Sequence, residues 1–258
     1  MAGAAFCSAG EPADDFFQTH RLARQALADG ADTPGDEPAA SRKAAGLYGR
    51  LVTQDPESLE AALCRVLRGI ILWREHKDID SAEKEFRAAA ALPGENAAVV
   101  ANLGRRWLAR VQMARIAKAC RAYYLEEVEY PASLDQLAEL KLIAPAYLRD
   151  PWGEPFTYEP MQHRLLKGVP RQKYELRCKS VPGGPEKTQE TLDNEKAFGD
   201  SLSLKGTNSE EPRSVMVAVK NETHIIKQSE AKAGLTPVLI ESGRAALCSD
   251  DYIVVLSR

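Results

Sequence analysis

The chain runs without a proline from Gly94 to Tyr130, and along that stretch its apolar residues fall into two stripes rather than one. Val100, Leu103, Trp107, Val111 and Ala114 form the first; Ala109, Met113, Ile116, Cys120 and Tyr124 form the second. Both have the three-and-four spacing of an amphipathic helix. A long helix whose apolar face changes partway along has two packing partners. One core is therefore expected before this helix and another after it.

Upstream, Phe16 to Ala28 has helical spacing, and the stretch 29–38 is dense in glycine, proline and aspartate, which break helices. From Ser41 to Arg50 apolar residues recur at Ala44, Leu47 and Tyr48, and the run stops at Asp55-Pro56. Ser58 opens a further helix with the stripe Leu59, Ala62, Leu63, Val66, Leu67, Ile70 and Trp73, and Asp80 offers a cap to 81–92, which ends at Pro93-Gly94. Tyr48 before Pro56 and Phe86 before Pro93 form a degenerate repeat. Together with Ala82, Ala89, Ala90 and Asn102-Leu103-Gly104, it makes the region 41–110 similar to tetratricopeptide repeats, whose period is about 34 residues. The charged stretch 73–80 holds the excess length. Such helices bury one face by stacking, and fewer than three repeats need another element to lean on. The long helix is the expected support.

Downstream lie Tyr130-Pro-Ala-Ser-Leu-Asp-Gln-Leu137 and then Asp150-Pro-Trp-Gly-Glu-Pro-Phe-Thr-Tyr158. Ser133 can cap a short helix carrying Leu134, Leu137 and Leu140 inward, and Asp150-Pro151 with Gly153 makes a tight turn that presents Trp152 to a core. Phe156 and Tyr158 alternate as on one strand, and Tyr174, Leu176 and Cys178 as on a second. The long helix, these two motifs and the strand Tyr174 to Ser180 make residues 96–180 similar to the soluble part of a type II secretion pseudopilin, the major pseudopilin especially. The resemblance implies a long helix packed on a small antiparallel sheet. Family members assemble through an N-terminal hydrophobic helix, where this chain has the tetratricopeptide-like helices, so incorporation into a fibre is not expected. The major pseudopilin also binds calcium after its final strand; Ser180-Val-Pro-Gly-Gly-Pro-Glu-Lys187 carries too few carboxylates for such a site, and calcium is not expected.

The stretch 181–212 shifts to Gly, Pro, Lys, Glu, Ser and Thr and reads as a linker with a short helix near Leu192. Beyond it, 215–219, 223–227, 237–240, 245–248 and 252–256 read as five short strands. Their rhythm resembles the small β domain of periplasmic connector proteins in type II secretion and type IV pilus machines. The expected fold is α+β: a flexible segment with a short helix over 1–40, tetratricopeptide-like helices over 41–110, a pseudopilin-like domain over 96–180 that shares the long helix, a linker over 181–212 and a small β domain over 213–258.

Chemistry is sparse. With 34 Lys and Arg against 37 Asp and Glu the net charge is −3, giving no global pull towards nucleic acid or anionic lipid. The apolar stretch 69–73 is far too short to span a bilayer. Cys7, Cys64, Cys120, Cys178 and Cys248 show no metal-ligand spacing and read as small buried hydrophobes, and His20, His76, His163 and His224 are scattered. No metal and no cofactor are expected. The long helix carries Arg105, Arg106, Arg110, Arg115, Lys118 and Arg121 and meets no acidic residue until Glu126. These six are the candidate partner-contact residues. Without an aromatic platform they read first as a solvated face, which disfavours nucleic acid. The acidic clusters Glu126-Glu127-Glu129 and Asp250-Asp251 read as solvated rather than as an acid/base pair. The leading expectation is a non-catalytic interaction or scaffold protein of a secretion or pilus-like assembly with protein partners. A carboxylate-dependent hydrolase and a nucleic-acid adaptor acting through 105–121 are the alternatives. Met1 to Ala9 is small and apolar, like the end of a secretory signal or like a plain alanine-rich terminus. The first would make the protein periplasmic or exported, the second cytoplasmic.

Overall fold

A side-chain cap opens four of the eight α-helices among the described residues. In the computed structural model, which describes residues 15–33, 35–94, 97–164, 170–220 and 222–258, Asp15 caps α1 (Phe16–Ala31) by accepting from the Gln18 amide at 2.6 Å. Met1 to Ala9, with Cys7, and the side chain of His163 lie outside the described residues. Pro38 sits in the first turn of α2 (Glu37–Gln54), Ser58 caps α3 (Leu59–Arg74), and Asp78 caps α4 (Ile79–Ala90) by accepting from the Ser81 amide at 3.0 Å. The sequence placed that cap at Asp80. Asp80 instead lies inside the first turn and turns its carboxylate towards Arg115 of α5 (Ala98–Glu127).

Each of these helices packs on the next, and α3 also touches α5. Small residues set the approach: a Cβ on Gly69 would lie 2.5 Å from the Phe86 ring, and one on Gly104 would lie 2.8 Å from the Ala90 nitrogen. The ring of Phe86 then stacks on Trp107 at 5.7 Å, with Trp73 edge-on to Trp107 at 6.1 Å. The stack starts earlier than expected. Rather than a short helix in a flexible segment, α1 is a 16-residue helix that buries Phe16 and Phe17 in the same core.

The second stripe of α5 faces a different core. Ala109, Met113, Ile116 and Cys120 pack against Leu134 and Leu137 of α6 (Leu134–Glu139) and against the hairpin of β1 (Thr157–Arg164) and β2 (Pro170–Arg177). These strands are antiparallel, with Tyr158 opposite Leu176 and Pro160 opposite Tyr174. Ser133 caps α6 as expected, but Leu140 is exposed rather than inward because the helix stops at Glu139. The Asp150 turn forms: its carboxylate accepts from the Trp152 and Glu154 amides, both at 2.9 Å, and Gly153 takes φ +90°. Trp152 packs half-buried on this core.

The stretch expected to be a linker holds α7 (Pro185–Asp193), α8 (Glu195–Asp200) and the strand β3 (Leu202–Asn208). Thr188 and Leu192 of α7 are buried, and α7 lies against α5. The five expected strands are β4 (Ser214–Val219), β5 (Glu222–Lys227), β6 (Thr236–Glu241), β7 (Arg244–Cys248) and β8 (Ile253–Ser257). They form two antiparallel sheets, β3-β4-β5 and β6-β7-β8, that share a core of Leu202, Val215, Val217, Ile240, Leu247 and Leu256. The opposite face of β6-β7-β8 places Val238, Ala246, Cys248 and Ile253 in the core of the helical stack. The result is three layers: helices, a sheet buried on both faces, and an outer sheet. This explains why β7 reads as an unbroken apolar run, Ala-Ala-Leu-Cys, instead of alternating.

Candidate partner-binding site

The long helix does not hold its six basic residues in one common surrounding. Arg110, only 1% exposed, donates from Nη2 to Asp251 Oδ1 at 2.8 Å in the turn between β7 and β8 and lies over the Trp107 ring. Trp107 Nε1 donates to the Asp251 carbonyl at 2.9 Å. Arg106 donates to the Ser180 carbonyl at 2.8 Å and reaches Asp251 at 3.5 Å. Arg115 turns the other way, donating to Glu83 at 2.8 Å and pairing with Asp80, while Tyr147 donates to the same Glu83. Arg105 is half-buried with no ion pair among the described residues. Lys118 and Arg121 remain, exposed and also unpaired among the described residues.

The run 105–121 is therefore not one continuous basic face. Its first part joins the helix to the C-terminal sheets, its middle to α4, and its end alone points to solvent. Sequence proximity hid this, because the acidic partners at 80, 83 and 251 lie far along the chain. Asp251, read as half of a solvated pair, is an internal counter-ion; Asp250 and Glu126, Glu127 and Glu129 are exposed.

Beside Lys118 and Arg121 opens a groove of about 680 Å³, floored by Tyr124, Tyr130 and Tyr174 and walled by Leu125. Tyr124 stacks on Tyr130 at 4.7 Å, Tyr130 meets Tyr174 edge-on at 4.8 Å, and Tyr158 continues the row at 5.7 Å. The row is fixed from below: Tyr158 donates to the Pro131 carbonyl at 2.8 Å, and Cys120 is buried beneath it. Burial raises the phenols of Tyr158 and Tyr174 and pushes the Cys120 thiol up to about 12, so none of the three is ionised near neutrality. No single stretch of sequence signals this groove. Tyr130, Tyr158 and Tyr174 are each visible as motif residues, but only folding brings them to the end of α5.

A larger cleft of about 1300 Å³ lies between the hairpin and the loop 178–186. Glu154, Glu175 and Glu186 line it together with Arg177 and Lys179. Glu175 pairs with Arg177, Glu186 accepts from the Gly184 amide at 3.2 Å, and the Cys178 thiol donates to Asp150 at 3.4 Å. Among the described residues no three His, Cys, Asp or Glu side chains come together as a metal site would require. No described helix is long and apolar enough to cross a membrane. Protein-family models, curated proteins and solved structures give no match to this chain. Its function is read from its own geometry.

Proposed function

We propose that this protein is a non-catalytic interaction component of a type II secretion or type IV pilus-like assembly, docking on it without entering the fibre. One observation carries the reading. α5 is held by ion pairs to α4 on one side and to the C-terminal sheets on the other, and its end presents two cations, unpaired among the described residues, over an aromatic floor. The succession of long helix, capped α6, Asp150 turn and hairpin supports kinship with the pseudopilin soluble domain. Support for a non-catalytic role comes from the thiols of Cys64, Cys120, Cys178 and Cys248, all buried and raised by that burial, and from Asp251, which is bound to Arg110.

The helical stack is covered on one flank by the C-terminal half of the chain. Asp15 before α1, Arg74 of α3 and Trp107 of α5 all contact the C-terminal half of the chain, through Arg244, Glu195 and Asp251. The partner surface is therefore assigned to the hairpin end. Co-purification of the tagged full chain from its own cells tests the reading. Recovery of secretion or pilus proteins is the expected result. Stoichiometric incorporation into sheared fibres, or hydrolytic turnover by the purified chain, overturns it.

A further inference from the structure

We infer that the groove at the end of α5 receives an extended acidic segment of a partner protein, in which two alternate carboxylates are followed on the same face by an aromatic or proline side chain. The inference rests on the interaction-component reading and names its site and ligand chemistry. Its first support is charge. Of the basic residues on α5, Arg106, Arg110 and Arg115 each find a carboxylate within the chain, and Arg105, unpaired among the described residues, is half-buried and does not line the groove, whereas Lys118 and Arg121 find no carboxylate among the described residues and stand exposed at the groove. Three residues apart on a helix, they lie on one face with their Cβ atoms about 5–6 Å apart. Alternate side chains of an extended peptide share a face and repeat about every 6.5–7 Å, so an acidic-x-acidic sequence spans the two cations without distortion.

The second support is the floor. Tyr124 is stacked at 4.7 Å, and Leu125 beside it is 72% exposed, an apolar wall with nothing described against it. Rings already held by one another lose little freedom on binding, and an aromatic or proline side chain has flat apolar surface to lay on them. The same surroundings disfavour a nucleic-acid strand. Glu126, Glu127 and Glu129 are also exposed near this end of the helix though they do not line the groove, and their negative charge opposes a long chain carrying a phosphate at every nucleotide more than a short segment with two carboxylates.

The test uses the full chain and a labelled ten-residue peptide carrying one Glu-Gly-Glu-Gly-Tyr set flanked by glycine and serine, followed by fluorescence anisotropy. Saturable binding that weakens with salt is expected. At least about a tenfold loss is expected both for the peptide with glutamine in place of glutamate and for the double variant Lys118→Glu/Arg121→Glu. Both side chains are exposed, so the variant should melt with the wild type. Equal binding of the glutamine peptide, unaltered binding by the double variant, absence of saturation, or preference for single-stranded oligothymidylate overturns the inference. If the double variant still recovers secretion or pilus proteins as well as the wild type does, the groove is the wrong surface and the wider reading stands. If the wild type recovers none, the wider reading falls.

Discussion

Tyr48 Oη and His20 Nδ1 share a hydrogen bond of 2.8 Å between α1 and α2, under the ring of Phe16. Burial first, and the nearby charge of Arg24 second, push the imidazole down to about 3. In the unfolded chain the same ring takes a proton near pH 6.5, so the unfolded state binds the extra proton between these values. Stability from this site is complete above about pH 6.5 and is lost as pH falls from there towards 3, by up to about 1.4 kcal/mol per unit. Urea midpoints of the wild type and His20→Gln between pH 7.5 and 4.5 check it. The wild type should lose stability more steeply, and parallel curves would refute the assignment. The buried thiols obey the same rule in the other direction: Cys178 rises to about 11 and Cys248 to about 12, which fits their sequence reading as apolar residues.

Two glycines in helix interiors separate propensity from packing. Alanine is favoured over glycine in a helix by about 1 kcal/mol. At Gly46 of α2 an added Cβ meets nothing within 4 Å, so Gly46→Ala should stabilise by about 0.5–1 kcal/mol. At Gly104 of α5 it would press on the backbone of α4, and overpacking of about 1–3 kcal/mol should outweigh the propensity gain. Midpoints moving in opposite directions are expected, and a Gly104→Ala chain as stable as wild type would argue against this helix contact. At this scale the sequence was largely readable, because periodicity is local. The two stripes of α5 divide between two cores except at their last members, since Ala114 joins neither core and Tyr124 lines the groove instead, and each of the five expected C-terminal strands is present. What local pattern could not reveal was competition. Asp80 reads as the cap, but Arg115 claims its carboxylate and Asp78 caps the helix, and Leu140 keeps the period of a helix that has already ended. β3 escaped notice because Leu202 and Leu204 sit among polar residues and its register slips before Gly206.

Across the whole molecule the layers depend on one another. Residues 213–258 expressed alone would leave β4 without its neighbour β3, and β6-β7-β8 without the helices over its inner face. Such a fragment should show poorly dispersed amide resonances and aggregate, whereas in the intact chain 183–208 should resist limited proteolysis. A well-dispersed spectrum from the fragment, or early cleavage in that stretch, would contradict the layered arrangement. The site was the least legible part of the sequence, since Lys118 and Arg121 differ from Arg110 only in what distant segments bring to them. That same reach across the chain has a consequence for synthesis. Asp15 meets Arg244, 229 residues later. At roughly 5–20 residues per second the ribosome needs on the order of ten seconds or more to supply that partner. Meanwhile Phe16, Phe17 and Trp107 await the sheet that completes their core. The nascent helices would thus display a sticky flank that a chaperone could hold, and the native packing closes only when β7 and β8 have left the exit tunnel.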